Sequence, residues 1–383
     1  MPDTIYLDNQ AATPIDPAVL KLLNEGMAIE FANPSSEDHK LGWRARSVVE
    51  DARSRIADCI GADAEEVIFT SGATEADNLG VLGAALGAPS ERRRILVGAT
   101  EHKAVLESAA AAVAYGFAVE IIPVNGEGLI DPSYFLSLLK PDVAVVSIMA
   151  ANNEIGTIQD VANLARLASA SGAFVHCDAT QAVLAMDINV SEWGVDAASF
   201  SSHKIYGPKA IGALYLSTVA PWRPKPLMFG GGQEAGLRPG TIPAPLCVAF
   251  AEAMAIIVRK GAKERADIAA LREQLASGLR EIIPDLVETA CAVPKHPGNF
   301  HVRFPGINAD DLLSRLQPDI AASTGSACTS GKLSPSHVLQ AIGMNSQEAS
   351  EGIRFSIGRF NTETEIDLAI AMIGAALTHI AAR

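Results

Sequence analysis

Lys204 closes the run Ser201-Ser202-His203-Lys204, directly after a small-residue, strand-like segment and just before Ile205-Tyr206-Gly207-Pro208. A lysine buried at such a point is costly unless it is paired or modified. A Schiff base with an aldehyde removes the cost and leaves a reactive imine. Taken alone, the same lysine reads more readily as a surface residue at a strand end. Asp178 ends the apolar run Phe174-Val175-His176-Cys177-Asp178. A carboxylate there can keep a heterocyclic ring nitrogen protonated and make that ring an electron sink. It can also cap the following helix.

The run Phe69-Thr70-Ser71-Gly72-Ala73-Thr74-Glu75 passes from a strand pattern into a helix pattern. Small residues let the backbone approach a phosphate, and a helix N-terminus offers N–H donors and a positive dipole. The Gly-Lys-Ser/Thr ending of a nucleotide-binding loop is missing, so ATP is not indicated, and an ordinary capped helix start remains the alternative. His102 follows the strand pattern at 94–97. A flat imidazole there can stack on a ring and move protons, although histidines of cores and surfaces are commoner.

Cys328 sits in Ser326-Ala327-Cys328-Thr329-Ser330, inside a Ser/Thr/Gly-rich stretch of about 322–335 that reads as a loop. Packing explains an exposed thiol poorly, and a thiolate in such a loop is a candidate nucleophile. Cys59, Cys177, Cys247 and Cys291 lie in apolar helix or strand patterns and read as small buried hydrophobes.

These residues need a frame. Short β runs at 66–70, 94–97, 118–122, 143–147, 174–178, 197–201 and 212–216 alternate with helical patterns such as 161–170. That alternation predicts an α/β domain with a mainly parallel sheet. Ligands in such sheets sit at the carboxyl ends of the strands. The lysine, carboxylate, phosphate loop and histidine all fall there. Residues 221–241 read as a long Pro/Gly-rich loop. Helices at 244–261 and 263–281 lead to strand patterns at 286–293, 299–304 and 352–357, which suit a smaller α+β domain. The expected division is a large domain over 15–260 and a small one built from 1–14 and 261–383.

The 383 residues are 49% hydrophobic and 19% charged, an ordinary globular balance. A net charge of −14, with no basic run longer than Arg92-Arg93-Arg94, argues against direct attachment to nucleic acid. Five cysteines without a CxxC pair argue against a disulfide framework or a metal site. The first residues carry no basic, then apolar, leader pattern, and no apolar run reaches membrane-spanning length. A cytoplasmic protein is expected.

The chain resembles the cysteine desulfurases, class V aminotransferases of the pyridoxal-phosphate (PLP) fold-type I superfamily. The resemblance runs nearly end to end. It is carried by Tyr6-Leu7-Asp8-Asn9-Gln10-Ala11-Ala12-Thr13-Pro14, Asn33-Pro34-Ser35-Ser36, Ser71-Gly72-Ala73-Thr74-Glu75 and Glu101-His102. Asn152-Asn153-Glu154-Ile155-Gly156, His176-Cys177-Asp178 and Ser201-Ser202-His203-Lys204 continue it, with Gly230-Gly231-Gly232-Gln233-Glu234, Arg238-Pro239-Gly240-Thr241, Ser326-Ala327-Cys328-Thr329-Ser330 and Ile353-Arg354-Phe355-Ser356 after them. It implies an aspartate aminotransferase-like large domain and conversion of L-cysteine to L-alanine, with the sulfur captured on Cys328 as a persulfide.

The resemblance also implies roles. Lys204 forms the Schiff base with PLP and later moves the Cα proton. Asp178 pairs with the pyridine nitrogen and Gln181 with the ring hydroxyl. His102 stacks on the ring and joins in proton transfer. Thr74, Ser201 and His203 hold the phosphate, with Ala73 and Asn153 also at the cofactor. Thr241 reaches the phosphate from a second subunit of a homodimer. Arg354 binds the substrate carboxylate near Asn153 and Asn33, a task that suits a planar guanidinium. The Ser-Ala-Cys-Thr-Ser setting resembles the group with the longer catalytic loop. A protein acceptor takes the sulfur, for iron–sulfur assembly, tRNA thiolation or DNA phosphorothioation. Selenocysteine lyase, plain class V aminotransferase and a non-enzymatic sulfur-trafficking protein are the alternatives. Two departures stand out. Ala12 replaces a common hydroxyl residue, and Ala235 stands where many relatives have arginine.

Overall fold

The structure is a computed structural model, and it describes residues 4–325 and 336–381. Among the described residues twelve strands form three sheets: β1 (Ile5–Tyr6), β2 (Val67–Thr70), β3 (Arg94–Gly98), β4 (Ala118–Ile122), β5 (Val143–Ser147), β6 (Phe174–Asp178), β7 (Ala197–Ser201), β8 (Gly212–Leu216), β9 (Val287–Glu288), β10 (Asn299–Arg303), β11 (Ile320–Ala321) and β12 (Gly352–Ser356). The largest sheet has seven strands in the order β2-β8-β7-β6-β5-β3-β4. Every neighbouring pair in it is parallel except β2–β8 and β8–β7. Thus β8 alone runs backwards, and β2, β3, β5, β6 and β7 all end on the same side.

Strands β5 to β8 are buried along their whole length. This is why they read as continuous apolar runs rather than as alternating ones. In β3 the pleat divides the residues: Leu96 joins the core that contains Val49, Ile56, Leu164 and Phe250, while Ile95 and Val97 face the core that contains Leu79, Val105 and Phe117. Each fully buried Leu, Ile or Phe contributes about 1.5–3 kcal/mol.

A third core joins the two ends of the chain. Ile5 and Leu7 pack with Leu275, Leu279, Phe300, Phe355, Ile366 and Ile373. β1 pairs in parallel with β11, and β10 lies antiparallel between β12 and β9. The helical segment Ala244–Ile282 connects this core to the sheet, and Gly261 breaks it with φ 48° and ψ −135°. Phe250, Met254 and Ile257 belong to the sheet's core, whereas Ile268, Leu275 and Leu279 belong to the terminal one. The sequence reading of two helices meeting near residue 261 matches this break. The helix Val161–Ala170 also stands where its periodicity put it.

Two expectations need correction. The strand pattern at 286–293 stops at Glu288, because Ala290 adopts φ 52° and turns the chain. Cys291 is therefore exposed on a turn and not a buried hydrophobe, and Cys59 is only partly buried. Cys177 and Cys247 are fully buried, as expected. Cys328 and most of its loop, 326–335, lie outside the described residues. Among the described residues, no helix is long and apolar enough to cross a membrane.

Candidate active site

The carboxyl ends of β2, β3, β5, β6 and β7 open into one cavity of about 550 Å³. Lys204 enters it from the turn Ser202–Lys204 after β7. Its amine donates to the backbone carbonyls of Gln10 (2.8 Å) and Ala11 (2.7 Å). The turn continues through Tyr206 at φ 66°, a left-handed conformation rare for a bulky residue. Such strain persists only where the surroundings enforce it. Here the Tyr206 amide donates to Thr13 Oγ1 at 2.7 Å, and its hydroxyl accepts from the Arg359 amide at 2.7 Å. The Arg359 guanidinium stacks 4.1 Å from the ring centre.

Asp178 is the last residue of β6, and its Oδ1 accepts from the Thr180 amide at 2.9 Å. Gln181 follows on the same wall and donates through Nε2 to the Gln10 carbonyl at 2.9 Å. One carbonyl of the N-terminal segment thus receives both Lys204 and Gln181. Beneath this floor lie Asp77 and Glu101. Burial first, and then the Asp178 charge, push both carboxyls well above their ordinary range.

At the other end of the cavity Gly72 precedes the helix Ala73–Asn78, and Ala73 and Thr74 line the wall. A side chain at Gly212 would fall 2.4 Å from the Phe200 carbonyl and 2.7 Å from Gly72 Cα, so glycine there lets the 71–73 loop lie against the sheet. Ser201 Oγ and His203 Nδ1 are 2.9 Å apart beside it. Burial, then Lys204 and Lys209, lower the His203 pKa to about 4, which leaves a neutral ring at pH 7. Glu75 Oε2 accepts from the Ser71 amide, and Oε1 pairs with Arg238 at 2.9 Å.

His102 is the N-cap of the helix Lys103–Ala112, where Nδ1 accepts from the Ala104 amide at 3.1 Å. In its neutral form the ring then carries its proton on Nε2. Asn152 braces this corner by donating to the Thr100 carbonyl at 2.9 Å. Opposite, Arg354 projects from β12 into the cavity. Its Nη1 donates to the Asn153 carbonyl (2.7 Å), and Nη2 donates to Asp8 Oδ1 (2.6 Å) and Ser323 Oγ (2.9 Å). Its Nε is buried without a hydrogen-bond partner.

Lys204, Asp178, Gln181, Ala73, Thr74, Ser201, His203, His102, Asn153 and Arg354 all line this single cavity. Asn33 and Thr241 do not, and both are exposed on the single chain.

Residues 5–368 match the Aminotransferase class-V family. A cysteine desulfurase IscS of Haemophilus influenzae (strain PittEE) is 42% identical over 380 residues, covering 99% of this chain and 94% of that protein. A solved NifS-like protein superposes with a TM-score of 0.90 at 34% identity, covering 98% of this chain and all of the other. A structure of SspA in complex with cysteine superposes with a TM-score of 0.81 at 31% identity, over 94% of this chain and 100% of that one. The chain belongs to the cysteine desulfurases, within the class V aminotransferases.

The desulfurase family implies PLP, and the donor set of the cavity fits that group. The Lys204 amine, the Asp178 carboxylate and the group Ala73, Thr74, Ser201 and His203 share one space, where they would hold the aldehyde, the ring nitrogen and the phosphate. Thr180 Oγ1, on the same wall, is buried without a partner. A buried hydroxyl in that state costs stability until a ligand satisfies it.

Sequence reasoning gave no role to Gln10 and Ala11, which bind Lys204 of the desulfurase through backbone carbonyls. A backbone role leaves no side-chain signal. Ala12, where a hydroxyl residue is common, lines the cavity and accepts from the Tyr6 hydroxyl through its backbone carbonyl at 2.8 Å. Thr180, Met149 and Lys209 line the cavity as well and carried no motif of their own. Ala235, with φ 54°, lies in the wall of a separate cavity of about 620 Å³ that also borders Pro34, Glu37, Arg53 and Gln233.

Proposed function

We propose that this desulfurase converts L-cysteine to L-alanine with PLP held on Lys204 and with Cys328 as the sulfur-accepting nucleophile. The observation that carries the reading is the convergence of Lys204, Asp178, His102 and Arg354 on one cavity whose rim includes Gly325.

Bound there, PLP would supply an aldehyde for the substrate amine and a ring that withdraws electrons from Cα. The residues do the rest. Arg354 and Asn153 orient the substrate carboxylate, and Asp8 and Ser323 hold the guanidinium in place for it. Asp178 would pair with the pyridine nitrogen of PLP and keep it protonated, and Gln181 would contact the ring hydroxyl. Lys204 takes the Cα proton, with His102 Nε2 as a second proton carrier. The Cys328 thiolate attacks the substrate sulfur, the Cβ–S bond breaks with its electron pair going to the carbon fragment, the sulfur stays on Cys328 as a persulfide, and the fragment is protonated and leaves as L-alanine. A protein acceptor then removes the sulfur.

The active unit is a homodimer. Support comes from Phe31, Val219 and Phe229, which are 76%, 88% and 87% exposed on the single chain. Large apolar residues so exposed mark a contact surface when they cluster. The segments that follow Phe31 and Phe229 in the chain, 34–37 and 232–235, border one cavity. A second copy seated there brings Thr241 to its partner's phosphate end and Asn33 toward the substrate. The division into a large domain over 15–260 and a small one from 1–14 and 261–383 is supported by the separate terminal core. Alanine formation from L-cysteine by the native protein and by Cys328→Ser tests the assignment.

A further inference from the structure

Asn299 opens β10 and is completely buried, yet no step above uses it. Its Nδ2 donates to Gln10 Oε1 at 2.6 Å and to the Glu154 carbonyl at 2.9 Å. A backbone carbonyl can only accept, so Glu154 fixes which end of the Asn299 amide faces it. That in turn fixes Gln10 with its oxygen toward Asn299. The turn after β5 lies hard against this side chain. Gly156 has φ +82°, and a side chain added there would fall 2.6 Å from Asn299 Cγ.

Each acceptor belongs to a support of the substrate cavity. Gln10 offers its backbone carbonyl to Lys204 at 2.8 Å and to Gln181 at 2.9 Å. Its amide donates to Ser356 Oγ at 3.0 Å, and Ser356 faces Asn299 across the β10–β12 pair. Glu154 follows Asn153, whose carbonyl accepts from Arg354 Nη1 at 2.7 Å. One side chain thus ties the carbonyl under Lys204 to the turn that holds the Arg354 guanidinium. Asn299 Oδ1 is buried without a partner. A buried amide with half of its capacity unmet costs stability, so its place needs a reason beyond filling space. An α-amino acid carries its amine and its carboxylate on one carbon, and bond lengths fix their separation. A cavity that takes the amine at one end and the carboxylate at the other has to hold its ends at that separation.

We propose that Asn299 is a positioning residue for substrate recognition: by donating at once to Gln10 and to Glu154, it holds the Lys204 and Arg354 ends of the cavity at the spacing of one α-amino acid. The inference rests on the reading of Lys204 as the cofactor lysine and of Arg354 as the carboxylate-binding group. Loss of the bridge leaves the groups at each end in place and lets one end shift against the other. Misplacing a bound group by about 1 Å costs on the order of 100-fold in rate. The substrate then fits less well and KM rises. A residue that served folding alone would lower stability and leave KM where it was.

The test compares Asn299→Ala, Gln10→Met, the double variant and Arg354→Lys with the native protein at equal PLP loading. KM and kcat for L-cysteine and stability in urea are measured for each. Asn299→Ala should raise KM and lower kcat/KM on the order of 10- to 100-fold. Gln10→Met, close in volume but without the acceptor oxygen, should raise KM less, because the link to Glu154 remains. In the double variant the two losses should not multiply, since Gln10 Oε1 acts through Asn299. A native KM in Asn299→Ala, whatever its stability, or losses that multiply in the double variant, would overturn the proposal. If Asn299→Ala does not fold, Gln10→Met decides alone, and a native KM there overturns it. A native KM in Arg354→Lys would remove the underlying reading instead, and so separates the two failures.

Discussion

The Lys204 amine donates to the Gln10 carbonyl at 2.8 Å, across 194 residues of chain. The N-terminal segment thus forms one wall of the cavity, and Lys204 rests on its backbone. Lys204→Ala should bind PLP without a borohydride-trappable linkage and form alanine at least on the order of 100-fold more slowly, since it lacks the base. Absorbance spectra before and after reduction, with an alanine assay, check both parts.

Arg354 has a lysine-intolerant setting, because two of its nitrogens are committed to Asn153, Asp8 and Ser323 in a planar arrangement. Arg354→Lys should raise KM for L-cysteine and lower kcat/KM by about 10- to 100-fold, equivalent to about 1.5–3 kcal/mol for a charged hydrogen bond. Steady-state kinetics decide, and an unchanged KM would place the substrate carboxylate elsewhere.

Fold and site were legible in the sequence to different degrees. Lys204, Asp178 and His102 were readable because each follows an apolar run whose burial on both faces of the sheet leaves a continuous signature. Gln10 and Thr180 were not, since one acts through its backbone and the other is a lone hydroxyl. Cys291 was misread because a positive φ at Ala290 ended a strand that side-chain pattern alone would have continued. Asn299 belonged to no motif, and its contact with both Gln10 and Glu154 is a tertiary fact with no local trace.

His176 lies fully buried between Ser147 Oγ (2.8 Å) and Ser199 Oγ (2.9 Å), and burial lowers its pKa to about 4. Its folded pKa is below its unfolded value, so the unfolded chain takes up the proton first. The stability tied to the neutral ring is complete above pH 6.5 and is lost as pH falls towards about 4, with a slope of at most about 1.4 kcal/mol per pH unit. His176→Gln removes this titration. The stability difference between native and variant proteins in urea should therefore shrink as pH is lowered through that window. A difference independent of pH would mean that His176 titrates alike in both states.

Phe229 is 87% exposed on the single chain, and the proposed dimer covers it. Phe229→Asp should shift the protein toward monomer in sedimentation velocity and weaken PLP retention, because Thr241 of the second copy no longer reaches the phosphate. A dimeric Phe229→Asp protein with native PLP content would locate the subunit contact on another face.

The central claim is tested most directly by sulfide and alanine release from L-cysteine in the presence of reductant, with native protein beside Cys328→Ser at equal PLP content. The account predicts equimolar sulfide and alanine from the native protein and neither product from Cys328→Ser, which still binds PLP and L-cysteine. Equal product release by both proteins would contradict it and remove Cys328 from the reaction.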